Sequence, residues 1–360
     1  MTIPKDTPFQ VFHLGETEAE QTLAATIKKL LACNTWGESR KIISQRRVQI
    51  NGNLCLDPAR RLTQRDVLKV WKTPLQKPVD ETAIRFVHVD DDLVIVEKPA
   101  GITSVRHFEE RRMKYKRKQL QPTLEELVPM ALAKYLRARR TSSFSKEVSP
   151  DEPIKPKLSR TKHTPKYLEG LERLAAKLTI IAVHRLDRDT SGLMIFARNR
   201  RTAVRLGELF RSHAIDRRYT AVVQGWPVAQ TFENHLVRDR GDGHRGSVAP
   251  PVPEDSQRAV THIRPIETLG QYSVIECKLE TGRTHQIRIH LAEAGHPLCG
   301  ENIYQRSVDG QVRIDKSGAP RQALHSSALR FVHPMTGKIL KFMMPWPEDL
   351  QRWLDQLRKT

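Results

Sequence analysis

A carboxylate among cations is the chemically most suggestive feature of this sequence. The stretch HRLDRDTSGLMIFARN, residues 184–199, places Asp187 among arginines, just before an apolar run with the character of a buried strand. Asp, Thr, Ser and Gly are common turn residues, so Asp187 could serve only to shape a turn. A carboxylate kept ionised at the mouth of a buried element could instead act as a nucleophile or a base. The local sequence leaves both interpretations open.

A second basic stretch, THQIRIH, could supply the cation that a buried carboxylate requires. Burial alone disfavours an ionised carboxylate, and an adjacent guanidinium would offset that effect. The alternation of residue types predicts an extended strand, in which Gln286, Arg288 and His290 share one face. Arg288 could also be an ordinary arginine on a sheet surface. Arg283 has an odd number and therefore lies on the opposite face from Arg288, so it is expected to contact phosphate.

Segments with strand character recur through the second part of the chain. They are IRFVHVD, DLVIVEKP, LMIFA, YTAVVQG, YSVIECKLE, THQIRIHLA and ALRFVH. Helical spacing separates some of them, as at residues 200–213. This order predicts an α+β fold with a mixed, largely antiparallel central sheet at residues 84–350. A linker at 74–83 is expected before this domain and a short C-terminal segment at 351–360 after it.

A separate small domain is expected at residues 19–73, after a loose polar tail at 1–18. A first stretch with its apolar residues on one helical face is followed by a second short helix at 38–46. VQINGNLCL then predicts a hairpin, because the pair Asn51 and Gly52 supplies the positive φ angles of a tight turn. The order is therefore helix, helix, hairpin.

This order resembles the S-four-type RNA-binding module found in several RNA-modifying enzymes. The similarity rests on ESRKIISQRRVQINGN and LTQRDVLKVW. Basic residues gather on the second helix and the turns, which favours an RNA-binding role for Arg40, Lys41, Arg46 and Arg47. The alternative is a small α/β domain whose basic residues are only solvated.

The remaining motifs resemble those of the RluA family of pseudouridine synthases. HRLDRDTSGLMIFARN is similar to the family's signature, LVIVEKPAGITS at 93–104 to its first motif, and RRYTAVVQG at 217–225 to the segment bearing its tyrosine. LETGRTHQIRIHLAEAGHPLCGE at 279–301 resembles its third motif, and ALHSSALRFVHPMTG at 323–337 its closing strand. These motifs follow one another in the family's order, so the resemblance implies the family's fold.

The resemblance also implies a reaction, the conversion of a uridine in RNA to pseudouridine. Uracil is detached from ribose at ring nitrogen one, turns, and is rejoined through carbon five. This chemistry requires no metal or cofactor, but it needs an ionised carboxylate beside the anomeric carbon, as a retaining glycosidase does. Asp187 matches the family's essential aspartate, Arg288 the arginine that pairs with it, and Tyr219 the active-site tyrosine. On local sequence alone, Tyr219 would be an aromatic residue of the core.

Contacts with RNA are implied in the same way. A stacked base cannot enter a pocket, so the uridine must swing out of the RNA. Arg185 matches the residue that fills the vacancy or holds the flipped nucleotide, which suits a planar guanidinium. Arg198, Arg217, Arg218 and the basic residues of segment 105–180 are expected to follow phosphates, so binding should depend strongly on salt.

Segment 105–180 is an insertion that departs from the family pattern. It holds 19 Lys and Arg against 9 Asp and Glu, a net +10, which is half of the chain's net charge. Two helices are expected within it, the first with a capping box of Thr123 and Glu126 and the second in YLEGLERLAAKL. The polar, proline-rich stretch between them predicts a mobile segment. The insertion is interpreted as RNA-contacting, with a merely soluble insert as the alternative.

The overall charge favours a polyanionic partner. Lys and Arg number 61 and Asp and Glu 41, a formal net charge of +20, which favours nucleic acid first and an anionic membrane surface second. No apolar window has the length of a membrane span, and the first residues lack the build of a secretory signal. Four scattered cysteines argue against a disulfide framework and a zinc site. A cytoplasmic setting is expected, with no obligate protein partner.

The leading hypothesis is an RNA pseudouridine synthase acting on large-subunit ribosomal RNA, by analogy with family members that carry the N-terminal module. Transfer RNA is the alternative substrate. A non-catalytic RNA-binding or ribosome-assembly protein that kept the fold is the alternative from another class. An RNA glycosidase or nuclease would instead yield free base or cut strands.

Overall fold

The structure is a computed structural model that divides into two compact units. It describes residues 9–51, 53–64, 66–75, 79–106, 121–141, 165–240, 244–307 and 309–359. The first unit comprises Met1–Val79 and Arg106–Pro122, and the second unit comprises Asp80–Val105 and Thr123–Thr360.

The first unit packs two short helices on a four-stranded antiparallel sheet. Its elements are α1 (Leu23–Leu30), α2 (Trp36–Ser44), β1 (Phe9–His13), β2 (Val48–Ile50), β3 (Asn53–Leu54) and β4 (Val67–Trp71), with strand order β1-β4-β2-β3. Thr22 and Thr35 cap the two helices, each accepting a backbone N–H in the first turn. Asn51 has a φ of 51°, as the tight turn between β2 and β3 requires. The predicted helix, helix, hairpin order is therefore present.

The expectation of a loose tail at 1–18 is wrong for residues 9–18. Strand β1 pairs along its whole length with β4, and the Phe9 ring lies 4.6 Å from the Trp71 ring. A short 3₁₀ helix follows at Glu16–Glu18. FQVFH is too short to signal a strand by itself, and it is stabilised by a partner almost 60 positions further along the chain.

The second unit is built on an eleven-stranded sheet. Its strands are β5 (Arg85–Val89), β6 (Leu93–Lys98), β7 (Ile181–Ala182), β8 (Ser191–Ala197), β9 (Asp216–Gln224), β10 (Gln230–Val237), β11 (Gly246–Val248), β12 (Gln257–Leu269), β13 (Tyr272–Leu279), β14 (Leu324–Val332) and β15 (Ile339–Met343). The main order is β11-β10-β12-β13-β9-β14-β8-β6-β5, with β15 beside β14 and β7 beside β8. Strands β8 and β14 run parallel, and the other pairings of the described strands are antiparallel. The predicted fold class, α+β with a largely antiparallel sheet, is confirmed.

The described part of this unit also contains five α-helices. They are α3 (Leu124–Thr141), α4 (Pro165–Lys177), α5 (Arg200–Arg211), α6 (Gln286–Glu293) and α7 (Glu348–Leu357). Helices α3 and α4 are the two expected in the insertion, and they pack on each other through Ala133, Leu171 and Ala175. At the start of α3, the Glu126 carboxylate accepts the Thr123 N–H at 3.0 Å, as half of the expected capping box. The rest of the insertion, 107–120 and 142–164, lies outside the described residues.

The predicted strand at THQIRIH is wrong, because these residues enter helix α6. Residues 286–292 are all buried, so the helix shows no polar stripe, and its isoleucines at alternate positions imitate a strand. Gln286 and His290 lie one turn apart, and both bond the Thr261 hydroxyl at 2.9 Å. Arg288 points elsewhere, so the three residues do not share a face.

The described helices do not include one that is both long and apolar enough to span a lipid bilayer.

Candidate active site

A cavity of about 390 Å³ opens in the second unit where the 184–190 loop, the start of β9 and the start of α6 meet. Among the residues that line it are Arg185, Asp187, Arg217, Tyr219, Arg283 and Arg288. Six of the residues predicted for the site, taken from three separate motifs, therefore converge on one pocket. A pocket of this volume is of the size that binds small organic groups.

Asp187 stands in this pocket with a cation on one side and a histidine on the other. Its side chain is 17% exposed, and its Oδ2 lies 3.5 Å from Nη1 of Arg288. Its Oδ1 lies 3.9 Å from Nε2 of His285. The predicted pairing of Asp187 with Arg288 is present in the structure, although Arg288 reaches the carboxylate from a helix and not from a strand.

Arg288 is held by a second carboxylate, Glu301, for which the sequence predicted no role. The guanidinium donates Nε to Oε2 at 2.8 Å and Nη2 to Oε1 at 2.7 Å, in a bidentate pair. Glu301 is 2% exposed and also accepts backbone N–H groups from residues 302–304. Burial would raise the pKa of Glu301, but the hydrogen bonds from Arg288 outweigh it and lower that pKa.

The same pair keeps Arg288 charged. Burial opposes its charge, but the hydrogen bonds and charge of Glu301, with a smaller contribution from Asp187, raise the pKa of Arg288. Because two ends of the guanidinium are taken by Glu301, the remaining Nη1 is fixed in direction toward Asp187. Glu301 therefore positions the arginine. The sequence could have indicated this role, because Glu301 directly follows LCG at the end of the third motif.

Two side chains of the motif at 93–104 hold the loop that carries Asp187 through hydrogen bonds to its backbone. Lys98 is 0% exposed, and its Nζ donates to the carbonyl oxygens of Pro99, Arg188 and Thr190 at 3.1, 2.8 and 2.8 Å. The Ser104 hydroxyl donates to the Leu186 carbonyl at 2.7 Å and accepts the N–H of the same residue at 3.0 Å. The backbone on both sides of Asp187 is thus held by side chains some 80 to 90 positions earlier in the chain.

The buried Lys98 should leave a signature in the pH dependence of stability. Burial lowers the pKa of Lys98 from its ordinary 10.5 to about 7. Between these values the unfolded chain holds the proton and the folded chain releases it, so this group makes the free energy of unfolding rise with pH. In Lys98→Met, we expect that part of the rise between pH 7 and pH 10 to disappear, as measured by urea unfolding. Lys278→Met, at an exposed position of β13, should retain the wild-type slope. An unchanged slope in Lys98→Met would contradict the expectation.

Tyr219 lies on the cavity face of β9. Its register partners are Cys277 in β13 and Ser326 in β14, and the residue is 6% exposed. Burial raises the pKa of Tyr219, so its hydroxyl stays protonated near neutral pH. Tyr219 therefore lines the same cavity as Asp187 with a protonated hydroxyl.

Arg217, two positions earlier on β9, points to the same face and is 7% exposed. Its Nη2 donates to the Glu280 carbonyl at 2.9 Å, and the guanidinium lies 5.6 Å from the centre of the Phe210 ring. Its buried Nε has no hydrogen-bond partner, and no carboxylate of the described residues pairs with the guanidinium. Burial lowers the pKa of Arg217. Arg218, on the opposite face, pairs with Asp216 and Glu276 outside the cavity.

The other predicted arginines of this unit divide into rim and scaffold. Arg185 and Arg283 are exposed at the rim of the cavity, and Arg283 donates Nε to the Arg258 carbonyl at 3.0 Å. Arg198 does not line the cavity. Its guanidinium donates to the Asp90 carbonyl in the turn between β5 and β6, which makes it part of the scaffold.

The basic residues of the first unit divide in a similar way. Arg40 and Lys41 are exposed on α2. Arg46 donates Nε to the Leu75 carbonyl at 2.9 Å, and Arg47 donates Nε to the Trp71 carbonyl at 2.7 Å. These two arginines therefore hold the last residue of β4 and the chain that follows it.

Comparisons with known families match both units. The model of the RNA pseudouridylate synthase family matches residues 92–293, and that of the S4 domain matches residues 21–68. The first range contains Asp187, Tyr219 and Arg288, together with Lys98.

Curated relatives carry related names. The ribosomal large subunit pseudouridine synthase D of Zymomonas mobilis is 42% identical over 170 residues, covering 47% of this chain and 53% of that protein. The protein of the same name from Xanthomonas campestris is 38% identical over 192 residues, covering 52% and 57%. The chain thus spans little more than half the length of these relatives. An uncharacterized RNA pseudouridine synthase of Synechocystis is 30% identical over 353 residues, covering 95% of this chain and 91% of that protein.

A solved structure shares the fold. Human RNA pseudouridylate synthase domain containing 4 superposes with a TM-score of 0.51 at 20% identity, covering 76% of this chain and 93% of that one. At this identity the likeness concerns the fold alone. The family model, however, matches more than half of the chain, and the Synechocystis relative aligns along nearly all of it. This protein therefore belongs to the RNA pseudouridylate synthase family.

Proposed function

We propose that this protein is an RNA pseudouridine synthase in which Asp187 is the essential carboxylate. The observation that carries the proposal is the pairing of Asp187, inside a cavity, with an arginine that a second buried carboxylate holds in place. The reaction breaks the bond from ribose carbon one to uracil nitrogen one and forms a bond from the same carbon to uracil carbon five. Carbon five loses its proton to solvent, and nitrogen one gains a proton. The reaction is an isomerisation without net oxidation, so the reacting groups it needs are a charged carboxylate and a pocket for the base.

Each cavity residue has a role in this proposal. Asp187 acts at the anomeric carbon or the base, as the carboxylate of a retaining glycosidase acts at its sugar. Arg288 places a positive charge 3.5 Å from that carboxylate. Tyr219 lies against the uracil face, and its hydroxyl can donate a proton to the uracil ring. These roles are supported by the shared cavity and by the charges of the pair.

Base flipping belongs to the same proposal. Asp187 is only 17% exposed, so a uridine stacked in an RNA helix cannot bring its sugar to the carboxylate. The nucleotide must therefore leave the stack, at a cost of a few kcal/mol. Arg185, exposed at the rim, is proposed to hold the flipped nucleotide or fill its place, and Arg283 to contact the adjoining backbone.

The reaction class can be tested by product analysis. A uridine-containing ribosomal RNA is incubated with the full chain, digested to nucleosides and separated by chromatography with mass detection. We expect a nucleoside of unchanged mass that elutes as pseudouridine. Free uracil would point to a glycosidase and cut strands to a nuclease. Binding without any conversion, across ribosomal and transfer RNA substrates, would favour the non-catalytic RNA-binding protein.

Large-subunit ribosomal RNA is the proposed substrate. The names of the Zymomonas and Xanthomonas relatives support this choice, as does the N-terminal S4 domain with Arg40 and Lys41 exposed on α2. Transfer RNA is the alternative, and conversion of transfer RNA alone in the product assay would show that transfer RNA is the substrate.

We also propose that the basic insertion at 105–180 contacts the RNA. The proposed setting is the cytoplasm, where all four cysteines, which are free, stay reduced.

Arg217 is proposed to bind a phosphate of the flipped nucleotide. A buried guanidinium without a carboxylate partner is unfavourable, and a phosphate would supply the missing charge. We expect Arg217→Gln to weaken RNA binding by about tenfold and to lower the salt slope of affinity by about one, without loss of folding stability. Arg218→Gln is the matched control, because Arg218 follows Arg217 directly on β9 but points away from the cavity and pairs with Glu276. Equal affinities for the two variants, measured by fluorescence anisotropy, would remove Arg217 from the proposal.

A further inference from the structure

His285 has a backbone conformation that is uncommon for residues other than glycine. It is the N-cap of α6 with φ 61° and ψ 16°, in the left-handed region, and its side chain makes no capping hydrogen bond. For a residue other than glycine this conformation costs about 1–2 kcal/mol, and asparagine, aspartate and histidine are the side chains that adopt it most often. The backbone therefore admits a histidine no better than an asparagine, and capping does not explain the choice, so the reason for a histidine must lie in its ring.

The ring of His285 accounts for the residue. Nδ1 lies 2.7 Å from the Tyr304 hydroxyl, and Nε2 lies 3.9 Å from Oδ1 of Asp187. The imidazole is thus a bridge between a buried phenol and the carboxylate that the proposed reaction depends on. Tyr304 is itself fixed, since its ring lies 5.0 Å from the Arg288 guanidinium and edge-on to the imidazole.

Electrostatics selects one tautomer of this imidazole. Burial lowers the pKa of His285, with Asp187 and Glu301 opposing and Arg288 and Arg245 adding to the effect, so the ring is neutral near neutral pH. A neutral ring carries its one N–H on either Nδ1 or Nε2. If the proton were on Nδ1, the lone pair of Nε2 would face the negative Asp187 oxygen, which is unfavourable. Burial raises the pKa of Tyr304 to about 12, so its hydroxyl keeps its proton and can donate it to Nδ1. The proton of the ring therefore lies on Nε2, toward Asp187.

We propose that His285 is a positioning residue for Asp187, donating Nε2–H to Oδ1 while Arg288 donates to Oδ2. This inference rests on the proposed function and adds to it a second donor that fixes the plane of the carboxylate. The 3.9 Å separation must shorten by about 1 Å to become a hydrogen bond, as contacts in unliganded active sites do when substrate binds. The Tyr304 hydroxyl fits this tautomer, because it can donate its proton to the free Nδ1.

Two substitutions separate this role from a structural one. His285→Asn suits the left-handed backbone but is too short to reach Asp187, whereas His285→Gln can place an amide N–H where Nε2–H was. We expect His285→Asn to keep the wild-type melting temperature and KM while kcat falls by about 30-fold, and His285→Gln to stay within about fivefold of wild type. A wild-type kcat in His285→Asn, or equal losses in the two variants, would overturn the inference.

A spectroscopic measurement tests the inference independently of turnover. In nitrogen-15 NMR spectra of the full chain, the His285 ring is identified by the signals that vanish in His285→Asn. We expect the shifts of a neutral ring with its proton on Nε2, and a proton on Nδ1 would refute the inference. If wild type makes no pseudouridine, the proposed function fails by itself. If Asp187→Asn is inactive but His285→Asn is fully active, only the role of His285 fails.

Discussion

Asp187→Asn is expected to abolish the conversion of uridine to pseudouridine while leaving RNA affinity nearly unchanged. The amide has the size of the carboxylate but carries no charge, so it can neither attack carbon one nor act as a base there. Removal of a reacting group of this kind lowers turnover by about 10⁴-fold or more. The variant is assayed for product by nucleoside analysis and for affinity by fluorescence anisotropy, on the same RNA.

Asp189→Asn is the matched control for this variant. Asp189 is exposed in the same loop, two positions from Asp187, and its side chain does not line the cavity. We expect near wild-type turnover from it, because the loop is held through backbone carbonyls by Lys98 and Arg321. Comparable losses at Asp187 and Asp189 would indicate a damaged loop and would contradict the specific role of Asp187.

The second largest effect is expected at Arg288. Arg288→Met leaves Glu301 as a buried charge without its cation, a change that typically costs about 3–5 kcal/mol of folding free energy. It also deprives Asp187 of its neighbouring positive charge, so we expect turnover to fall by at least about 10³-fold. Urea unfolding and single-turnover kinetics on one preparation measure the two effects together.

A double variant separates stability from chemistry. Arg288→Met combined with Glu301→Gln removes both charges of the buried pair, so we expect much of the lost stability to return. Turnover should remain low, because Asp187 still lacks its cation. Recovery of turnover together with stability would mean that Arg288 acts only as part of the scaffold.

The sequence located the residues proposed to react because they lie in contiguous motifs. Asp187 and Tyr219 were assigned through such motifs, and both line the cavity. The partner of Asp187 was also correct, but its geometry was not. THQIRIH alternates like a strand, and only burial on every side, which depends on the surrounding sheet, allows these residues to be helical.

The supporting residues could not be predicted, because their partners are distant in the chain. Lys98 fastens the Asp187 loop through backbone carbonyls, which carry no residue-specific signal in a sequence. Glu301 and His285 stood inside the quoted third motif, but their roles depend on the direction of Arg288 and on a left-handed backbone angle. Such features become visible only when tertiary contacts are known.

Positive charge alone also proved a coarse guide. Arg46, Arg47, Arg198 and Arg217 were all grouped with the RNA contacts, and each also donates to a backbone carbonyl of its own unit. Arg217 has the same residue type but is buried without a carboxylate partner. Whether an arginine is buried in the cavity or lies at the surface depends on which face of a strand or turn its side chain occupies. Net charge does not specify this face.

Release of the hydrogen at uracil carbon five is the most direct test of the central claim. RNA carrying tritium at carbon five of uridine is mixed with excess enzyme, and tritium in water is followed over a single turnover. For wild type we expect one tritium released per pseudouridine formed, with no free uracil, and for Asp187→Asn no release above the rate without enzyme. Release from Asp187→Asn at the wild-type rate would show that the carboxylate is not the essential group.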